Sequence, residues 1–193
     1  QCIDSDRNML RKSLMLAGLT WASLWLGSAA AADFTLSSPS VVDGKLTVAQ
    51  VLNGFGCTGG NRSPALAWTD PPAGTKSLAL TIYDPDAPTG SGWWHWVVFN
   101  LPADLRDLPE GAGDGAAPHL PASAIQSRTD FGAPGYGGAC PPEGSAPHRY
   151  EIKLWALDVE KLDLAPDASG AMVGFFLNAH KVAVADLTAT YGR

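Results

Sequence analysis

Leu78-Ala-Leu-Thr-Ile-Tyr-Asp84 is the stretch on which the fold turns. Residues 78, 80 and 82 are Leu, Leu and Ile, so one face of an extended strand is apolar. The same alternation carries Asp84, at the strand's end, onto that buried face. Two other stretches behave alike. In His148–Ala156, Ile152, Leu154 and Ala156 continue a face that begins with His148 and Tyr150, while Arg149, Glu151 and Lys153 take the solvent side. In Trp93–Phe99, alternation puts His95 on one face with Trp93, Val97 and Phe99. Three core faces thus end in Asp, in His, and in His with Tyr. Buried polar groups need partners, and their convergence would make a small polar floor under aromatic walls.

Shorter β-like runs flank these three: Phe34–Leu36, Ala65–Trp68 and Val182–Thr190. Turns rich in Gly and Pro separate them, among 21 glycines and 15 prolines in 193 residues. That rhythm predicts an all-β-dominated protein, an antiparallel sandwich or barrel. Residues 167–179 read as a helix with an Asp or Ser cap, covering one end of the sheet. The stretch Ala103–Pro147, rich in Gly, Ala and Pro, reads as one or two extended surface loops.

Composition narrows the function. Apolar residues make up 46% of the chain and charged residues 17%, which suits a packed core and excludes wholesale disorder. The net charge is −6, with no Lys/Arg cluster, a poor match to a phosphate backbone, so no nucleic-acid partner is expected. Met9, Arg11 and Lys12 precede the apolar run Leu14–Leu26 and then Gly27-Ser-Ala-Ala-Ala-Ala32. A basic start, an apolar middle and a small-residue end read as a secretory signal. The run spans about 20 Å as a helix, short of the roughly 30 Å a membrane anchor needs. Residues 1–32 are therefore an N-terminal extension plus signal, cleaved near Ala32, and residues 33–193 the exported domain, periplasmic or secreted.

Cys2 precedes the apolar run and leaves with it. Cys57 and Cys140 remain, an even pair in an oxidising compartment, for which a disulfide is expected. Two free buried thiols are the alternative, because sequence does not place their Cα atoms. No HxH, HExxH or Cys-pair spacing suggests a metal, and no cofactor motif survives. Gly54-Phe-Gly-Cys-Thr-Gly59 matches the dinucleotide pattern GxGxxG, but Gly60 and Pro64 break the helix that the mechanism requires.

Taken singly, each candidate polar residue also has a plain structural reading. A lone histidine beside a core is commonly a satisfied structural group. Asp84 before Pro85 is common turn chemistry. Tyr150 would then only tether its hydroxyl to backbone. Agreement across three strands is what favours a shared site.

The same segments carry a family resemblance. Asp84-Pro-Asp-Ala-Pro88, His95-Trp-Val-Val-Phe-Asn100, and Tyr136-Gly-Gly-Ala-Cys-Pro-Pro142 followed by His148-Arg-Tyr150 resemble the phosphatidylethanolamine-binding protein family in its bacterial, Raf-kinase-inhibitor-like branch. Gly59-Gly-Asn-Arg-Ser-Pro64, Trp68 and Leu187-Thr-Ala-Thr-Tyr-Gly-Arg193 are similar to that branch too. The resemblance implies an antiparallel β-sandwich of Greek-key type, with one or two short helices, the largest near the C-terminus. It implies a small anion pocket built from Asp84, Pro88, Trp93, His95, Cys140, Pro142, His148 and Tyr150. The chain departs from the branch at Ala139, at Pro147 and in Phe175-Phe-Leu-Asn178, where a different helix-to-strand junction is expected.

The expected function is an exported binding protein for a small phosphorylated anion or phospholipid head group, with a regulatory output open. Imidazolium and phenol groups are good donors to phosphoryl oxygen. One alternative is an interaction protein, such as a protease inhibitor with a protein target. Another is a weak acid–base hydrolase using Asp84, His95 and His148, although no Gly-x-Ser-x-Gly elbow is present. An enzyme is not expected, and a homodimer is left open.

Overall fold

The computed structural model describes residues 33–117 and 119–193; the signal read in residues 1–32 lies outside them. In chain order the strands are β1 (Leu36–Ser37), β2 (Val41–Val42), β3 (Lys45–Leu46), β4 (Asn53–Gly54), β5 (Cys57–Thr58) and β6 (Leu66–Trp68). There follow β7 (Ser77–Asp84), β8 (Trp93–Pro102), β9 (Asp107–Leu108), β10 (Ile125–Gln126), β11 (His148–Leu157) and β12 (Lys181–Tyr191). A helix, α1 (Gly170–His180), precedes β12, and a single 3-10 turn covers Val48–Gln50.

Seven strands form one sheet in the order β10-β8-β7-β11-β12-β3-β2, and β1-β6-β9 form a second. In the large sheet the chain runs through β7, β8 and β10 and returns beside β7 as β11, a Greek-key order. The long pairs β7–β8, β7–β11 and β11–β12 are antiparallel; β12 meets β3 in parallel at Thr190 and Lys45. Leu80, Ile82, Trp96, Val98, Ile152 and Leu154 of the large sheet pack against Leu36, Leu66, Trp68 and Leu108 of the small one. These two inner faces are the sandwich core.

The outer face of the large sheet is buried as well. Ala79, Val97, Phe99, Trp155 and Leu157 form a second core with Leu162 and with Val173 and Leu177 of α1. The helix is shorter than 167–179 at its start, because Ser169 caps it by accepting from the Met172 N–H at 3.2 Å. Phe175 and Asn178 line a groove on this outer face together with Tyr83, Trp94 and Glu151.

Two sequence expectations need correction. Val97 and Phe99 do not share the face of His95; they belong to the helix-side core. Ile82 pairs with Trp96 but Tyr83 with Trp94, so His95 is the extra residue of a β-bulge. The bulge turns His95 back to the inner side beside Trp96, and period-2 counting fails across it. A second irregularity, between Leu78 and Leu80, lies opposite Asn100, which adopts φ +61°. Its side chain holds the Leu162 N–H and carbonyl at 2.7 and 3.2 Å. Nor is 103–147 merely loop: β9 joins the small sheet and β10 the large one. Two-residue strands carry no period for a sequence reading to detect. As the sequence reading expects, Gly54-Phe-Gly-Cys-Thr-Gly59 opens no helix. It is the β4–β5 hairpin, turning at Phe55 and Gly56, both at positive φ.

Candidate functional site

The strand ends of β7, β8 and β11 meet at one edge of the sandwich, where a cleft of about 180 Å³ opens. Asp84 and His148 lie at its base, 3% and 6% exposed, with His148 Nδ1 2.8 Å from Asp84 Oδ2. The other carboxylate oxygen, Oδ1, accepts from the Asp86 N–H at 2.8 Å. Asp84 therefore carries out turn chemistry and orients the histidine at the same time. Its neighbour Asp86 accepts from the Arg149 guanidinium at 2.8 and 2.9 Å, which holds the Asp86 carboxyl down at about 2. That pair locks the ends of β7 and β11 in register.

His95 is held from both sides of the 131–140 loop. Its Nδ1 donates to the Gly137 carbonyl at 2.7 Å, and its own carbonyl accepts from the Gly137 N–H at 2.9 Å. Burial pushes the imidazole below its ordinary pKa, outweighing the Gly137 carbonyl and the Asp84 carboxylate, which favour the cation. Burial thus favours the neutral ring, and Nδ1 is committed to the Gly137 carbonyl. Only Nε2 is left for a ligand, and in this tautomer it is an acceptor.

Tyr150 lines no part of the cleft surface. It lies behind it, 1% exposed, its ring edge-on to His95 at 5.2 Å between centroids. Its hydroxyl has no hydrogen-bond partner among the described residues, so it tethers no backbone there. Burial, then the Asp84 charge, raises its pKa and keeps it a phenol.

Pro88, Trp93, Cys140 and Pro142 line the cleft as expected. Cys140 is bonded to Cys57, with Cα atoms 6.0 Å apart across 83 residues of sequence. The bond draws the β4–β5 hairpin over the cleft and sets Phe55 on its rim, 74% exposed. Phe55 adopts φ +51°, an unusual conformation for a bulky residue and one found at sites where strain serves function. Arg193 reinforces the same rim, donating to the Pro141 and Gly56 carbonyls at 2.8 and 3.0 Å.

Phe55, Phe131, Ala87, Thr89 and Pro141 were not foreseen. Phe131 is the hub of the wall: its centroid lies 5.8 Å from Phe55, 5.4 Å from Trp93 and 5.4 Å from His95. A Cβ at residue 137 would collide with its ring, which explains one glycine of the 136–142 motif. Phe55 was within reach of sequence reading, because it neighbours Cys57; nothing periodic marks Phe131. Among the described residues, no group of three or more His, Cys, Asp or Glu side chains is arranged to hold a metal ion.

A sequence model of the phosphatidylethanolamine-binding protein family matches residues 37–192. The chain belongs to that family. YbcL of Escherichia coli K12 is 53% identical over 165 residues, 85% of this chain and 90% of that protein. YbhB of the same organism is 55% identical over 157 residues, 81% of this chain and 98% of YbhB. The crystal structure of YbcL, described as a new member of the mammalian family, superposes with a TM-score of 0.81 at 52% identity, covering 84% of this chain and 99% of that one. A Chlamydia trachomatis homologue, CT736, superposes at 0.66 with 31% identity, covering 83% and 97%. A Mycobacterium tuberculosis relative named as a lipoprotein, LppC, is 37% identical over 141 residues, 73% of this chain and 63% of its own.

Proposed function

We propose that this member of the phosphatidylethanolamine-binding protein family is an exported protein that binds a small phosphoryl anion, free or as a lipid head group, in the Asp84–His148 cleft. The observation that carries this reading is that His95 and the Asp84–His148 pair, all buried, converge on one cleft under walls of Phe55, Trp93 and Phe131. A protonated imidazole donates to phosphoryl oxygen. The apolar walls exclude water and strengthen such bonds. The hydroxyl that lines the cleft, Thr89, donates to the Gly92 carbonyl at 2.6 Å, which speaks against it as a nucleophile. Export is supported by the leader-like segment 9–32 and by the lipoprotein name of the mycobacterial relative.

Calorimetry with phosphoethanolamine tests the site. Wild type should bind, and His148→Ala should lose about 1.5–3 kcal/mol, the range for a charge-assisted hydrogen bond. No heat from wild type, or unchanged affinity in the variant, would remove the phosphoryl reading.

A further inference from the structure

The groove between α1 and the outer face of the large sheet is larger than the cleft. It holds about 420 Å³, against about 180 Å³, and falls in the range of roughly 300–1,000 Å³ common for small-molecule sites. Each of the three long strands β7, β8 and β11 gives it an aromatic side chain: Tyr83, Trp94 and Trp155. Tyr83 and Trp94 already lie against each other, with centroids 4.6 Å apart. From the helix comes Phe175, 70% exposed.

The lining is not apolar throughout. Lys153 donates to Glu151 Oε2 at 2.8 Å, and the two side chains are 36% and 26% exposed. This ion pair decides what fits. Its charges cancel, and no other charged residue lines the groove among those described. A cationic ligand meets a carboxylate that Lys153 has already neutralised, and an anionic ligand meets the reverse. A purely apolar ligand would cover the pair and the Asn178 amide, and hydrocarbon returns nothing for the water they lose.

What satisfies all of these groups is a neutral molecule with an apolar face and a rim of hydroxyls. A hydroxyl both donates and accepts, so one kind of group serves the second Glu151 oxygen and the remaining Lys153 N–H donors. The electron-rich faces of aromatic rings attract polarised C–H bonds. A pyranose ring combines the two, with C–H bonds on its faces and hydroxyls around its edge. We propose that the groove between α1 and the outer sheet face binds a neutral saccharide, at a site separate from the cleft and independent of what the cleft binds. Sugar rings lie among Tyr83, Trp94 and Phe175, and their hydroxyls bond to Glu151 and Lys153.

Titration of the isotope-labelled protein with cellotriose, maltotriose and triacetylchitotriose at millimolar concentration tests this. The indole N–H resonances report the place: Trp94 and Trp155 line the groove, and Trp93 lines the cleft. At least one of the three sugars should shift the Trp94 and Trp155 signals saturably and leave Trp93 in place. Phe175→Ala should weaken that sugar about three- to tenfold, the loss of one aromatic contact, and leave thermal unfolding unchanged because the side chain is largely exposed. Shifts confined to Trp93 would put the sugar in the cleft and overturn the proposal. Silence from all three sugars, or unchanged affinity in Phe175→Ala, would overturn it as well. Choline and tryptophan, titrated into the wild type, complete the comparison. Tighter binding of either than of any sugar would show that the groove reads charge, which also overturns the proposal.

Discussion

Two side chains carry the consequences at the residue scale. The Tyr150 hydroxyl is buried without a partner among the described residues, so in the ligand-free protein it costs more than it contributes. Tyr150→Phe should raise stability by on the order of 1 kcal/mol while leaving phosphoethanolamine affinity near wild type, because the ring lies behind the cleft. Urea unfolding beside calorimetry reads both, and a loss of stability would mean that the hydroxyl is satisfied in solution. His95 gives a pH signature. Burial lowers its pKa, so the unfolded chain takes up a proton below the ordinary value of 6.5 that the folded chain refuses. Its contribution is complete above pH 6.5 and is lost as pH falls below it, by up to about 1.4 kcal/mol per unit. Denaturant titrations across that range should show a slope in wild type that His95→Gln flattens; equal slopes would mean that His95 titrates normally.

Among the elements, α1 is held to the sheet by a glycine pair. A Cβ at Gly170 would run into the Trp94 indole, whereas one at Gly174 would sit 3.7 Å from the same ring, an ordinary contact. Helix propensity favours Ala over Gly by about 1 kcal/mol at either position. Gly174→Ala should therefore stabilise by about 0.5–1 kcal/mol, and Gly170→Ala should destabilise by about 1–3 kcal/mol despite its better propensity. Thermal unfolding of the two variants checks the pair, and equal shifts would mean that the indole yields. Because α1 covers the face opposite the cleft, neither change should alter ligand affinity at folding temperatures.

For the whole molecule, the Cys57–Cys140 bond joins segments that the strand order leaves far apart in sequence. Closing a separation of 83 residues contributes about 4–5 kcal/mol in the chain-entropy account. Reduction should lower the unfolding midpoint accordingly. It should also weaken binding, because the hairpin bearing Phe55 would be held to the cleft rim by the Arg193 bonds and the Phe55–Phe131 stacking without a covalent tie. Calorimetry of the Cys57→Ser/Cys140→Ser protein separates the two effects, and unchanged affinity would show that the hairpin is positioned without the bond.

The sequence by itself determined the faces of β7 and β11. A regular strand has a period of two, so Leu78, Leu80 and Ile82 carry Asp84 inward, and Ile152 and Leu154 do the same for Tyr150 and His148. The family motifs were legible for the same reason: they are local. The place of His95 was reached through a face assignment that does not hold. Only the tertiary structure shows that a bulge returns it to the inner side, since a bulge is a mismatch between two strands and neither strand alone contains it. The aromatic wall belongs to the same class. Phe55 and Phe131 meet across 76 residues because a disulfide and a glycine let them, and no local pattern encodes that approach. The roles of the imidazole nitrogens were likewise settled by a carbonyl and a carboxylate from other segments. Chemistry that depends on which atom is already occupied is decided by packing, because the occupying partner lies far away in the chain.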